Sequence, residues 1–264
     1  MRREINEILP IILAGGLGKR MNSDVPKVLQ QLNGKPMIIH IIEKVITLNP
    51  KKIYIVVGKY KDIIKETIDY YSIGLSAQTG IIINIEYVYQ EIAEGTGQAI
   101  MCCEELLKKE SPRAKVLILS GDVPLIGEET MKQLINREQK VLLLTTVLDE
   151  PYGYGRIKKI NNRFEKIVEE KDCNEKDRLI KEINGGVYCI ENRYITEHIN
   201  KLSNENNSRE YYLTDLLEII KRYENEDIET LELNREKQYE LMGVNTQEQL
   251  NELENMYQVL EYRK

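Results

Sequence analysis

The first residues able to do chemistry are Leu13-Ala14-Gly15-Gly16-Leu17-Gly18-Lys19-Arg20-Met21, a glycine turn directly after a short apolar run. Glycines there let backbone N–H groups come close to a phosphate, and Arg20 can add a charge-assisted fork. The turn is not a P-loop, because Gly-Lys-[Ser/Thr] is missing, and it lacks the third glycine of a dinucleotide fingerprint. Taken alone it fits a tight strand-to-helix turn as well as a phosphate cradle. Asp24-Val25-Pro26-Lys27-Val28-Leu29 follows. Pro26 fixes the backbone before Lys27, so the ammonium can be aimed back at the same phosphates as a point charge. A single lysine is otherwise a solvated surface group; beside the glycine turn it points to a small phosphorylated anion.

Composition narrows the classes of function. The 264 residues carry 37 Lys+Arg and 43 Asp+Glu, a formal charge of -6. That length holds one large domain or two small ones, and 42% hydrophobic with 30% charged residues is enough to bury a core. Lys and Glu are mixed along the chain, which leaves no basic footprint for a nucleic acid or an anionic membrane. The two histidines, His40 and His198, lie in apolar helical stretches away from any Cys at metal spacing, which argues against histidine catalysis and a zinc site. Cys102, Cys103, Cys173 and Cys189 form no C-x-x-C pair and are expected as reduced thiols in the cytoplasm. The opening apolar run is too short for a signal peptide, and no run reaches the ~18–20 apolar residues of a membrane helix.

The elements that must position these residues read as α/β. Ile8–Ala14, Ile53–Val57, Ile81–Tyr89 and Val116–Leu119 are expected strands, with helices at Pro36–Leu48, Lys61–Tyr71 and Gly97–Lys109 between them. Such alternation predicts a doubly wound, mainly parallel sheet with helices on both faces, in one domain spanning 1–264. From Val141 onward, strands at Val141–Leu148, Arg156–Ile160 and Gly186–Ile190 are expected to add mixed pairing and a lid over the same sheet. Tyr211–Tyr223 has the helical period, and a last helix opens with its N-cap at Asn245 or Thr246. Ser203–Arg209 and Asn174–Asp177 are polar and turn-forming, expected as mobile loops.

The segment LAGGLGKRM…SDVPKVLQQLNGKPMI resembles the start of the sugar nucleotidyltransferases, in particular the uridylyltransferase (pyrophosphorylase) half of the bacterial bifunctional N-acetylglucosamine-1-phosphate uridylyltransferase/glucosamine-1-phosphate acetyltransferases. The resemblance continues in family order through Gln90–Gly97, Ser120–Leu125, Tyr152–Ile157, Ile167–Asp172, Glu182–Gly186, Glu210–Asp215 and Gly243–Asn245. Eight segments in order are specific where one would not be. The resemblance implies Arg20, Lys27 and Asp122 as catalytic residues, with Leu13, Ala14, Gly15, Gly16, Gln90, Gly95 and Thr96 at the nucleotide. It further implies Ser120, Gly121, Gly155, Glu169 and Asn184 at the sugar, and Asp122 with Asn245 as ligands of Mg²⁺.

Physical chemistry agrees with these assignments. Asp122 follows an apolar strand and Ser-Gly, which puts a hard carboxylate at the carboxyl edge of a parallel sheet. One carboxylate and one amide oxygen, completed by phosphate oxygens and water, suit Mg²⁺. Without the resemblance Asp122 is equally a turn residue before Pro124, Asn245 a helix cap, and Gln90 an exposed residue at a strand end. The amide of Gln90 offers both donor and acceptor to a uracil edge. A carboxylate and an amide at Glu169 and Asn184 suit sugar hydroxyls.

The expected reaction is UTP plus N-acetyl-α-D-glucosamine 1-phosphate giving UDP-N-acetylglucosamine and pyrophosphate. The alternatives are another hexose 1-phosphate or pyrimidine nucleotide, or a non-catalytic sugar-nucleotide sensor. Departures from the family pattern sit at Leu17-Gly18-Lys19-Arg20, at Ser120 and at Gly185; the last two predict a roomier sugar pocket. No hexapeptide repeat follows the last helix, so neither acetyltransferase activity nor a trimerising β-helix is expected, and oligomeric state is left open.

Overall fold

Ile8–Ala14 is apolar at nearly every position because this strand is covered on both sides. Leu9 and Ile11 enter one apolar layer, whereas Ile12 and Ala14 enter the other. The computed structural model describes residues 7–21 and 23–262. Its strands are β1 (Ile8–Ala14), β2 (Gln31–Leu32), β3 (Lys35–Pro36), β4 (Ile53–Val57), β5 (Ile85–Tyr89), β6 (Lys115–Ser120), β7 (Val141–Val147), β8 (Arg156–Ile160), β9 (Arg163–Val168), β10 (Glu182–Glu191) and β11 (Glu229–Leu233). The helices are α1 (Met37–Ile46), α2 (Lys61–Thr79), α3 (Thr96–Met101), α4 (Glu104–Leu107), α5 (Glu128–Ile135), α6 (Glu175–Arg178), α7 (Asn192–His198), α8 (Leu213–Glu224) and α9 (Gln247–Tyr262).

Among the described residues the main sheet runs β11-β7-β10-β6-β1-β4-β5, with the hairpin β8–β9 attached through β10. β6, β1, β4 and β5 are parallel; β10 runs against both β6 and β7. The chain winds from β1 outward to β5 and then returns to place β6 on the other side of β1. The strand order therefore reverses between β1 and β6, and open α/β sheets bind ligands beyond the carboxyl ends at such a point. Leu13 pairs with Ser120 at that end. One apolar layer packs residues of α3, α7 and α8 on the sheet, and the other packs α1, α2 and α5. A smaller cluster of Met21, Leu32, Met37, Leu125, Val244, Leu250 and Leu253 ties the start of α9 to the loops beyond β1 and β6.

The mainly parallel, doubly wound sheet agrees with the sequence reading, and several boundaries differ. The expected helix over Gly97–Lys109 is broken at Cys102–Cys103 into α3 and α4; α2 extends to Thr79, and β5 starts at Ile85. β9, β11, α5 and α7 were not foreseen. Asn174–Asp177 is not a loose loop: the Asn174 side chain accepts from Lys176 and Asp177 N–H, and Asp177 returns a bond to the Asn174 N–H, a capping box that starts α6. Thr246 caps α9 by accepting from Gln249 N–H at 3.3 Å. No helix among the described residues is long and apolar enough to cross a membrane.

Candidate active site

Segments far apart in the chain meet beyond the ends of β1 and β6. Gly121 N–H donates to Leu13 O at 2.9 Å, and Val244 N–H donates to Asp122 O at 3.0 Å. A β-carbon on Gly121 would lie 2.8 Å from Leu13 O, so this approach requires glycine. Leu13 and Ala14 end β1, Gly15 and Gly16 follow, and a β-carbon on Gly16 would meet nothing within 4 Å. Lys27 opens a 3-10 turn, Lys27–Leu29, and Arg20 lies in another, Lys19–Met21.

These pieces build a small polar cluster. The Lys27 ammonium bonds Asp122 Oδ2 and donates to Asn245 Oδ1 at 3.1 Å. Arg20 Nη2 donates to the same Asn245 oxygen at 2.9 Å, and Ser120 Oγ donates to Asp122 Oδ1 at 2.8 Å. The Lys27 and Asp122 side chains are 15% and 14% exposed, so the pair is shielded yet reachable. One carboxylate oxygen and one amide oxygen thus converge on a single cation, here the ammonium. That donor set fits a hard divalent ion whose remaining positions are filled by phosphate oxygens and water.

Gln90 follows β5, where its N–H donates to Val57 O at 2.8 Å, and its side chain is buried. Its Nε2 donates to Gly95 O at 3.1 Å and to Gln98 Oε1 at 2.6 Å. Its Oε1 lies against the glycine turn, 2.4 Å from where a β-carbon on Gly15 would stand. Gly95 takes φ +111° and passes close to the backbone of Tyr211. Thr96 opens α3, and its hydroxyl accepts from Leu213 N–H at 3.1 Å, which anchors the start of α8.

Gly155, Glu169 and Asn184 come together at the other end. A β-carbon on Gly155 would lie 3.5 Å from Glu169 Oε2 and 3.6 Å from Asn184 Cβ, and Asn184 N–H donates to Gly155 O at 2.9 Å. Glu169 accepts from the Thr214 hydroxyl at 2.8 Å, and burial pushes its carboxyl above the usual carboxylate range. Asn184 Nδ2 donates to the Tyr188 hydroxyl at 2.7 Å, while its Oδ1 accepts from Gly186 N–H at 3.1 Å. Tyr154 and Gly243 line one cavity, and the Tyr154 hydroxyl feels the Asp122 charge, which joins this end to the cation pair. The loop before β8 is held by Arg156, only 2% exposed, whose Nη2 reaches Glu170 Oε2 at 2.7 Å. The same Glu170 oxygen accepts from Gly153 N–H at 3.0 Å.

The sequence profile described as nucleotidyl transferase matches residues 9–238. The chain belongs to the nucleotidyl transferase family. It is 38% identical over 251 residues to a protein of Acanthamoeba polyphaga mimivirus described as a probable UDP-N-acetylglucosamine pyrophosphorylase, covering 93% of this chain and 94% of that one. It is 39% identical over 250 residues to the bifunctional protein GlmU of Clostridium botulinum, covering 92% of this chain and 50% of the relative, so it spans about half the length of that protein. A solved UDP-glucose pyrophosphorylase complexed with UDP-glucose shares the fold, with TM-score 0.74 and 19% identity over 95% of this chain and 98% of the other. The enzyme is a sugar nucleotidyltransferase, of a family that acts on nucleoside triphosphates and sugar 1-phosphates and generally uses a divalent metal.

In this nucleotidyl transferase, Gly185 does not open the sugar pocket as expected. A β-carbon there would meet Leu241 Cδ1 at 2.6 Å and Leu144 O at 3.0 Å, so that direction faces the core. Of the two small residues only Ser120 borders the site. Sequence reasoning also missed supporting residues. Gly58 ends a run of buried strand residues, and a β-carbon on it would lie 2.7 Å from Gly15 O. Thr214 lies in the family-like segment Glu210–Asp215, where its type alone signals no role. Tyr188 and Gln98 carried no signal, because a single hydroxyl or amide in a strand or helix looks like any other.

Proposed function

We propose that the enzyme transfers a uridylyl group from UTP to N-acetyl-α-D-glucosamine 1-phosphate, giving UDP-N-acetylglucosamine and pyrophosphate, with residues 1–264 working as one domain. The observation that carries this reading is the contiguity of the two polar ends. The cluster Arg20, Lys27, Asp122 and Asn245 adjoins Gly155, Glu169 and Asn184 through Tyr154 and Gly243. A triphosphate and a sugar phosphate held at these ends would meet between them.

The sugar phosphate oxygen attacks the α-phosphorus in line, the bond from that phosphorus to the bridging oxygen breaks, and pyrophosphate leaves with the electron pair. Backbone N–H groups of the turn from Leu13 through Ala14, Gly15 and Gly16 hold phosphate oxygens, and Arg20 and Lys27 balance the charge gathering on the leaving group. Asp122 and Asn245 would hold Mg²⁺, which supplies charge neutralisation on the phosphates. Gln90, Gly95 and Thr96 border the base. Glu169, Asn184 and the Gly155 N–H hold the sugar hydroxyls and acylamino group, with Ser120 and Gly121 beside them. Such a transfer asks the protein for positioning and electrostatics, so no protein nucleophile is required.

The test is pyrophosphate release across a panel of nucleoside triphosphates and sugar 1-phosphates with Mg²⁺. UTP with N-acetylglucosamine 1-phosphate should give the highest kcat/KM. A strong preference for glucose 1-phosphate would overturn the sugar assignment, and no turnover with any pair would overturn transfer itself.

A further inference from the structure

The Gln90 amide has only its oxygen left to offer a ligand. Nε2 carries two hydrogens, and both are spent inside the chain, on Gly95 O at 3.1 Å and on Gln98 Oε1 at 2.6 Å. The Gly95 carbonyl and the Gln98 oxygen are both acceptors, so the two together hold the nitrogen end of the Gln90 amide on their side. Gln98 is oriented in turn: its Nε2 lies 3.4 Å from Cys102 Sγ, which turns its Oε1 toward Gln90. Among the described residues no donor bonds Gln90 Oε1, and this oxygen faces the glycine turn at Gly15.

We propose that Gln98, without touching the base, sets which base the enzyme accepts. By occupying the second N–H of Gln90 it makes that side chain a pure acceptor. A pyrimidine whose ring nitrogen between two carbonyls carries a hydrogen, as in uracil and thymine, can donate to it. Cytosine presents a lone pair at the same ring nitrogen and meets another lone pair. A site whose buried polar group is left facing the wrong partner rejects that ligand strongly. Gln98 is therefore a positioning residue, and its role rests on the uridylyl reading given above.

The experiment measures kcat/KM for UTP, 5-methyl-UTP and CTP with N-acetylglucosamine 1-phosphate and Mg²⁺ in the wild type, Gln98→Met and Gln98→Glu, with Gln98→Ala as a second way to remove the acceptor. The wild-type arm examines the base assignment: UTP and 5-methyl-UTP, which present the same ring N–H, should both far exceed CTP. In Gln98→Met one of the two acceptors that hold the Gln90 amide in this sense is lost, so the flipped amide, which offers N–H to cytosine, costs less and the UTP:CTP ratio should fall about tenfold. Gln98→Glu keeps an acceptor at this place and should hold the ratio near the wild-type value. A purely structural Gln98 would lower the melting midpoint and reduce activity with both nucleotides alike. An unchanged ratio in both Met and Ala variants, or a Glu variant as relaxed as Met, would overturn the role of Gln98 and leave the uridylyl reading in place. A wild type that favours CTP would overturn both.

Discussion

Replacing Lys27 by methionine should move two measurable quantities in opposite directions. Methionine keeps most of the buried stem and removes the ammonium that Asp122 and Asn245 share. Two unit charges about 4 Å apart near a protein surface attract by about 4 kcal/mol, and the cost of shielding both groups from water cancels much of it. With side chains 15% and 14% exposed, a net worth of about 1–2 kcal/mol is reasonable for the pair. An incoming divalent ion has to displace this ammonium. Its removal should therefore tighten binding of Mn²⁺ to the nucleotide-free protein by roughly 5–30-fold, read from the free-ion electron paramagnetic resonance signal. The same substitution takes a positive charge from the leaving pyrophosphate, and kcat/KM for UTP should fall by about 10²-fold or more. If Mn²⁺ binds the variant no better than the wild type, the ammonium does not stand at the cation position; unchanged kcat/KM would remove its phosphate role.

Asp122→Asn should lower turnover by about 10²-fold or more while the melting midpoint falls by only a few degrees, since loss of the Lys27 ion pair costs about 1–2 kcal/mol and the volume hardly changes; full activity in excess EDTA would refute the cation pair. Gly58→Ala should cost about 1–3 kcal/mol in urea unfolding, because its β-carbon would lie 2.7 Å from the backbone oxygen of Gly15. Gly15→Ala would clash with the end of the Gln90 side chain and lie at ordinary contact distance from Gly58 N, so it should lose UTP affinity with little stability; equal unfolding midpoints for the two variants would contradict this. Burial, together with Glu218, Glu169 and Asp172, pushes the Asp215 carboxyl up to about 6. The folded state thus holds this proton more tightly than the unfolded chain, a contribution present below about pH 4 and lost as pH rises through 6. Asp215→Asn should match the wild type in acid and exceed it by roughly 1–2 kcal/mol at pH 7.5, after allowance for solvent screening; equal midpoints at pH 7.5 would refute it.

The parallel half of the fold was legible because strands covered on both faces must be continuously apolar, as at Ile8–Ala14 and Ile53–Val57, where the expected and observed limits coincide. β9 and β11 escaped notice because each carries charged residues among its apolar ones, as RFEKIV and ETLEL do, and their partners rather than their composition make them strands. The glycine turn, Lys27 and Asp122 were legible because their types are unusual at those places. Gln98, Tyr188 and Thr214 were not, since each acts by bonding other side chains, and partnership across the fold leaves no mark in spacing. Gly185 misled for a related reason: a glycine announces room for its chain but not which side the room is on.

The bonds from Gly121 to Leu13 and from Val244 to Asp122 stitch the early, middle and late parts of the chain at one spot. During synthesis the polypeptide can pair β1 with β6 long before residue 245 emerges. Until it does, Asp122 has no amide partner, and the apolar seat formed by Met21, Leu32, Met37 and Leu125 is unfilled. A growing chain of this kind acquires its phosphate turn early and its cation pair only at the last step of assembly. Contacts so distant in sequence are slow to form, so the final docking of α9 should limit how fast a newly made molecule becomes competent, and a chain interrupted before Asn245 would be sheet-forming yet inactive.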